Sequence, residues 1–367
     1  MNNRQKLLSS SEVPLDIKPI SIETSLDKLE ITWDKELQPL TNDNFNNNNS
    51  HQPHKSIYPI SFLHSYSTKQ NILKLHYNHL KPILWDSKSI LNSQNLWISY
   101  NDYMNSDKIL LDSLRQLWDY GLVFIKNVPT NDDDKGILNV TERIGTVRST
   151  IYGKFFDVKS IPAANNIAYT SLNLNLHMDL LYYESPPGLQ FLHCLKNSVT
   201  GGQSIFSDSF KAVQKLKFYH PDYFNLLKKF PLTFHYTNNG HHMHYNRPAI
   251  AIDDDNDTLN VNYAPPFQGP IEFFLGSNDD ENEINIIEFY RAYQQFCKFI
   301  EDPSLKFELT LIPGDLVIFV NRRVLHARKS FDPQSGQRHL KGTYIEYCEF
   351  KDKFRVLMNR HDNNILH

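Results

Sequence analysis

His177 and Asp179 stand two residues apart in the stretch LHMD, and a third histidine, His326, follows Pro313-Gly314-Asp315 and the apolar run LVIFV. An imidazole and a carboxylate two apart on a strand point to one face and can share a metal ion. Two histidines and one carboxylate fill one face of an iron ion and leave three positions open for a bidentate cosubstrate and dioxygen. Structural zinc would want a closed tetrahedral set, usually with thiolates, and none is nearby. Spacing alone does not decide the matter. His220-Pro221-Asp222 repeats it in what reads as a turn between helices, and with 16 histidines in the chain, ordinary core or surface histidines are the competing reading. Context separates the two. Behind His177 come a Pro186-Pro187-Gly188 turn and an apolar strand, then a Pro-Gly-Asp turn into a second apolar strand, then His326.

Arg338 follows twelve residues after His326. An arginine in a loop is usually a solvated charge. Its planar fork can also grip a carboxylate through two parallel hydrogen bonds, which a lysine cannot copy. Arg328 is the alternative for that role.

The elements that must hold these residues are short. Residues 108–120 carry Ile109, Leu110, Leu114, Leu117 and Trp118 near helical spacing, with Gly121 where a helix C-cap wants one, and LVFI then reads as a strand. Residues 210–229 are expected to be helical with a break at His220-Pro221, and residues 283–300 to form another helix. GLQFLHCL, QSIFSDS, FELTLIPGDLVIF and GTYIEYCEF read as strands and turns. Many short strands with a few helices predict a mainly β fold, a double-sheet jelly roll with appended helices, over residues 100–360. Ahead of it we expect a tail over residues 1–19 and a small β-rich domain over residues 20–95. There LEITW alternates like a half-buried strand, and residues 56–63 form an edge strand made awkward by Pro59. The polar tract TNDNFNNNNS, residues 41–50, interrupts this domain.

Composition narrows the function classes. A chain of 367 residues that is 40% hydrophobic can bury a sizeable core. Its 38 basic and 41 acidic side chains provide no electrostatic footprint for nucleic acid. No apolar run approaches the length that spans a bilayer, so no membrane role is expected. Three isolated cysteines, Cys194, Cys297 and Cys348, point to a reducing compartment, read as cytoplasmic. Arg4, Lys6 and several serines before Glu12 are a faint mitochondrial-type signal, the alternative location.

With those residues in line, residues 108–350 closely resemble the gamma-butyrobetaine and trimethyllysine dioxygenases within the taurine-dioxygenase-like superfamily. The matching segments are ANNIAYT, HMDLLYYESPPGLQFLHCLKNSVTGGQSIFSD, IPGDLVIFVNRRVLHARKSF and RHLKGTYIEY. The resemblance implies a double-stranded β-helix and a reaction that needs Fe(2+), 2-oxoglutarate and O2, with ascorbate as an expected aid. An unactivated C–H bond is hydroxylated while 2-oxoglutarate becomes succinate and carbon dioxide, and the protein supplies placement. Carried over by position, His177, Asp179 and His326 hold iron and Arg338 the cosubstrate. Asn166 and Asn165 are expected to contact cosubstrate and substrate, respectively. The aligned aromatic cage for a trimethylammonium head is Tyr152, Phe156, Tyr169 and Tyr344. A quaternary ammonium donates no hydrogen bond, so ring faces are its natural host. Phe156 replaces a tryptophan of the animal pattern.

Other departures follow. No cysteine precedes residue 194, so the zinc site of the family's N-terminal domain is not expected, and His51, His54 and His64 are read as solvated. A homodimer is expected by resemblance only. His241, His242 and His244 are read as a loop near the substrate mouth rather than as ligands, and Tyr263 and Phe267 as pocket neighbours. The expected reaction is hydroxylation of gamma-butyrobetaine to L-carnitine. Trimethyllysine, another substrate of the same chemistry, and a non-catalytic jelly-roll binding protein are the alternatives.

Overall fold

The computed structural model describes residues 9–37, 53–159, 170–253, 258–272 and 286–361. The chain divides into two compact units, Met1–His79 and Leu80–His367.

In the first unit β1 (Pro19–Thr24), β2 (Lys28–Trp33) and β3 (Lys55–Pro59) form an antiparallel sheet in that order, followed by helices α1 (Ile60–Tyr66) and α2 (Lys69–Leu75). The strand expected over residues 56–63 is an edge strand, but it stops at Pro59 and residues 60–63 turn into α1. Phe62 and Tyr66, one helical turn apart, bring their rings to within 4.7 Å. The asparagine tract lies outside the described residues, as does His51.

The second unit runs β4 (Trp97–Ser99), α3 (Tyr100–Asn105), α4 (Asp107–Tyr120), β5 (Leu122–Lys126), α5 (Lys135–Glu142), β6 (Phe156–Lys159) and β7 (Leu174–His177). There follow β8 (Leu189–Asn197), β9 (Thr200–Gly201), β10 (Ser204–Asp208), α6 (Ser209–Tyr219), α7 (Pro221–Lys229), β11 (Pro231–Asn238), β12 (His241–Pro248), β13 (Ile250–Asp253) and β14 (Thr258–Val261). The unit closes with α8 (Ile286–Ile300), β15 (Phe307–Leu309), β16 (Leu316–Val320), β17 (Val324–Arg328), β18 (Phe331–Asp332), β19 (Arg338–Ile345) and α9 (Tyr347–His361).

Two sheets make the jelly roll. The larger has the order β4-β5-β16-β8-β19-β6 and the smaller β15-β10-β17-β7. Leu192, Val317, Phe319 and Leu340 from the larger meet Phe206, Phe307 and Val324 from the smaller in one buried cluster. Phe206 sits edge-on to both Phe124 and Phe319, at 5.8 and 5.6 Å, the arrangement ring quadrupoles favour. Trp85 and Ile90, fully buried, belong to this cluster, and Trp85 Nε1 donates to the Tyr120 carbonyl at 2.7 Å. Residues 80–95, expected in the small domain, therefore pack with the second unit.

Local signals explain several boundaries. Gly121 caps α4 with φ 76°, and a Cβ there would lie 2.9 Å from Val324 Cγ2. Pro221 opens α7 after the break at His220. GTYIEYCEF is strand only to Ile345. Its second half begins α9, because Phe350, Phe354 and Leu357 are spaced to bury one helical face. The histidine cluster is not a loop: His241, His242 and His244 lie on β12, paired along its length with β11.

Candidate active site

β17 and β7 pair antiparallel with His326 directly opposite His177. That register brings together two histidines distant in the chain, with ring centroids 4.1 Å apart. β7 ends at His177, so Asp179 is not on the strand as its spacing suggested. It sits on the connection beyond, where Leu180 takes φ 58°. Nonetheless the ligand atoms of His177, Asp179 and His326 all lie within 4.8 Å of one another. Among the described residues no other such group of histidine, cysteine or acidic side chains occurs.

The tautomer of His177 favours a metal. Its Nδ1 stands 2.8 Å from the Asn175 carbonyl, which can only accept, so Nδ1 carries the proton. Nε2 is then a lone pair facing Asp179 Oδ1 at 3.3 Å, while His326 Nε2 faces the same oxygen at 4.0 Å. Acceptors that converge in a buried site call for a cation between them. Burial opposes ionisation of Asp179, yet its polar contacts with His177, His326 and Tyr344 outweigh burial and hold the carboxyl well below its usual range. Burial and the neighbouring His177 push His326 down to about 3, leaving it a neutral donor. Two imidazoles and one carboxylate are the donor set of an iron site with open positions.

The cavity beside the triad is lined by Phe156, Gln190 and Arg338 as well as by the three candidate ligands. Arg338 opens β19 and is only 7% exposed, yet its buried Nε has no hydrogen-bond partner. Gly202, at φ 69°, leaves room for it, since a Cβ there would meet Arg338 Nε at 3.2 Å. Burial lowers Arg338 to about 10, still charged at neutral pH. Arg328 lines the same cavity but donates from Nη2 to the carbonyls of Thr170 and Leu172, so that edge is committed. Two guanidiniums on one cavity suit an anionic cosubstrate, and the unmet Nε of Arg338 suits a carboxylate.

The aromatic residues are partly assembled. Phe156 stacks on Tyr344 with centroids 5.1 Å apart and stands 6.4 Å from Tyr152. Tyr169, Asn165 and Asn166 lie outside the described residues. Two neighbours escaped the sequence reading. Tyr182 shares a hydroxyl–hydroxyl bond of 3.0 Å with Tyr152, and Tyr236 stacks on Tyr182 at 5.2 Å. Tyr182 follows Asp179 within HMDLLYY, a signal that was available; Tyr236 carried none. Phe267 joins this group, 5.3 Å from Tyr182, whereas Tyr263 packs on Tyr293 and supplies its carbonyl to Met178 N–H. Asn321, buried beside Asp179, was missed as well. His244 does find a carboxylate, Glu272 at 2.8 Å, but on the exposed side of the hairpin.

A family profile described as "Taurine catabolism dioxygenase TauD, TfdA family" matches residues 88–344. A dioxygenase of Strobilurus tenacellus, str8, is 34% identical over 97% of this chain and 81% of its own. A gamma-butyrobetaine dioxygenase of Pseudomonas sp. (strain AK-1) is 36% identical over 69% of this chain and 64% of its own. A trimethyllysine dioxygenase of Meyerozyma guilliermondii is 28% identical over 96% of this chain and 85% of its own. Among solved structures, a taurine dioxygenase from Burkholderia xenovorans has the same fold, with TM-score 0.50 and 15% identity over 72% of this chain and 89% of its own. Among the described residues no helix is long and apolar enough to cross a membrane.

Proposed function

The chain belongs to the TauD, TfdA family of dioxygenases, and from that membership we propose that it hydroxylates a trimethylammonium substrate, gamma-butyrobetaine, to L-carnitine. The single observation that carries the reading is the cavity that His177, Asp179 and His326 share with Arg338, whose buried Nε has no hydrogen-bond partner. In this reading the three side chains hold Fe(2+), and Arg338 grips the distal carboxylate of 2-oxoglutarate with Asn166 assisting. Bound iron and 2-oxoglutarate supply the oxidising power for inserting an oxygen atom from O2 into a C–H bond. The chain's own residues orient and shield. Buried Phe206 and Leu192 keep that end of the cavity apolar, which strengthens the charge–charge contacts inside it.

Tyr152 and Phe156, with Tyr169, Asn165 and Tyr344, are proposed to receive the substrate. Ring faces attract a quaternary ammonium by roughly 0.5–2 kcal/mol per contact. A second reading, trimethyllysine, is favoured by the relative of that name matching nearly the whole chain rather than two thirds of it. A cytoplasmic setting, a homodimer, ascorbate as an aid and a catalytic domain ending near residue 360 complete the proposal.

The test is succinate release with iron, ascorbate and 2-oxoglutarate, comparing gamma-butyrobetaine, trimethyllysine and no substrate, with His177→Ala as control. Stimulation by gamma-butyrobetaine that the control abolishes is the expected result. Stimulation by trimethyllysine alone keeps the chemistry and replaces the substrate. If neither couples while the metal still binds, the substrate class is wrong.

A further inference from the structure

We propose that Tyr344 is a positioning residue of the metal site: its hydroxyl holds one oxygen of Asp179 so that the carboxylate binds through the other alone. A carboxylate only accepts, so the 2.7 Å contact between Tyr344 Oη and Asp179 Oδ2 is a hydrogen bond donated by the phenol. The oxygen facing His177 and His326 is the other one, Oδ1. The two oxygens of Asp179 thus have separate tasks, one toward the ligand cluster and one toward Tyr344.

The phenol is held by its strand and by a neighbouring ring. Tyr344 is 2% exposed on β19, where it pairs with Gln190 of β8. Phe156 covers a face of its ring, stacked at an interplanar angle of 23°. Phe156 is itself seated on Gly342, its partner across β6 and β19, where a Cβ would come within 2.2 Å of the Phe156 ring.

The arrangement matters because of the number of open positions. A carboxylate free at both oxygens can chelate and take a fourth position on the ion, one the cosubstrate or dioxygen needs. Capping Oδ2 prevents that and draws charge from the ligand. The face of the Tyr344 ring covered by Phe156 is closed to an ammonium group, and the hydroxyl acts through Asp179. The inference rests on the reading of the triad as a metal site.

The experiment is Mn(II) titration of the apoprotein, followed by the free-ion electron paramagnetic resonance signal, with the visible absorption of the Co(II) form as a second readout. Tyr344→Phe keeps the ring and its stacking and removes only the hydroxyl. The expected result is Mn(II) affinity about 10-fold weaker or more and a changed Co(II) spectrum. Tyr103→Phe removes a buried phenol bonded to the Val140 carbonyl instead, and its affinity is expected to stay within about twofold. Affinity within about twofold for Tyr344→Phe, with an unchanged spectrum, overturns the proposal while the metal site stands. Wild-type protein that binds no metal overturns the dioxygenase site itself. If Tyr344→Phe does not fold, 3-fluorotyrosine placed at position 344 alters donor strength without altering shape. A Co(II) spectrum that then fails to shift overturns the proposal equally.

Discussion

The side-chain amide of Asn321 closes on the backbone of Asp179 from both sides, its Oδ1 accepting from the Asp179 N–H and its Nδ2 donating to the Asp179 carbonyl, each at 2.9 Å. Asn321 is fully buried, and its Nδ2 also reaches the Pro187 carbonyl at 3.2 Å. A connection whose next residue, Leu180, sits at φ 58° is held in place by this clasp. The conformation is costly for a side chain with a Cβ and persists only where the surroundings over-determine it.

Asn321→Ala is therefore expected to lower stability by about 1–3 kcal/mol, since it takes the side-chain partner from the Asp179 N–H, the Asp179 carbonyl and the Pro187 carbonyl. It should also weaken Mn(II) binding as Asp179 loses its fixed position. Thermal denaturation and metal titration read the two effects separately. A stable variant with unchanged affinity would remove Asn321 from the site.

Arg338→Lys should weaken 2-oxoglutarate binding to the Mn(II)-loaded protein by about 10-fold or more, because an ammonium cannot make two parallel hydrogen bonds to a carboxylate. Mn(II) affinity should not change. Calorimetric titration of both ligands checks this, and equal loss at Arg328→Lys alone would transfer the role to Arg328.

His193, fully buried on β8, is pushed down to about 4 by burial, against an ordinary value of 6.5. A depressed histidine means that the unfolded chain binds the proton first. Its contribution is fully present above about pH 6.5 and is lost as pH falls toward 4, at about 1.4 kcal/mol per pH unit and about 3 kcal/mol in total. The Asp133 charge acts in the opposite direction, but more weakly than burial. Melting temperature should fall more steeply between pH 6.5 and 4 in the wild type than in His193→Gln. Parallel curves would place the acid sensitivity elsewhere.

Gly342→Ala should displace Phe156, because the new methyl would overlap its ring. A cost of about 1–3 kcal/mol is expected, with weaker Mn(II) binding as Tyr344 loses its support. Combining it with Phe156→Ala should cost less than the sum of the two single changes. Simple additivity in denaturant unfolding would mean that the ring and the glycine do not interact.

The chain's local periodicities determined a good deal. The helix before Gly121, the break at His220-Pro221 and the strands GLQFLHCL and SIFSD stand where spacing and turn residues indicated. The types in HMD, His326 and Arg338 pointed to a candidate site before any geometry was known, because few residue types can bind iron or clamp a carboxylate. Boundaries were less legible. Pro59 and Glu346 each separate an element read as continuous, and only the packing of the following residues chose helix over strand.

Tertiary structure alone decided what touches what. The register that sets His326 opposite His177 depends on pairing between strands far apart in the chain, which no local pattern encodes. The same holds for the Asn321 clasp, the tyrosines beside Tyr152 and the meeting of His244 with Glu272. Tyr344 illustrates the difference. Its sequence position identified an aromatic ring near the site. That its hydroxyl meets Asp179 while its face meets Phe156 follows from how β19 packs between β8 and β6, a matter of three-dimensional contact rather than of residue type.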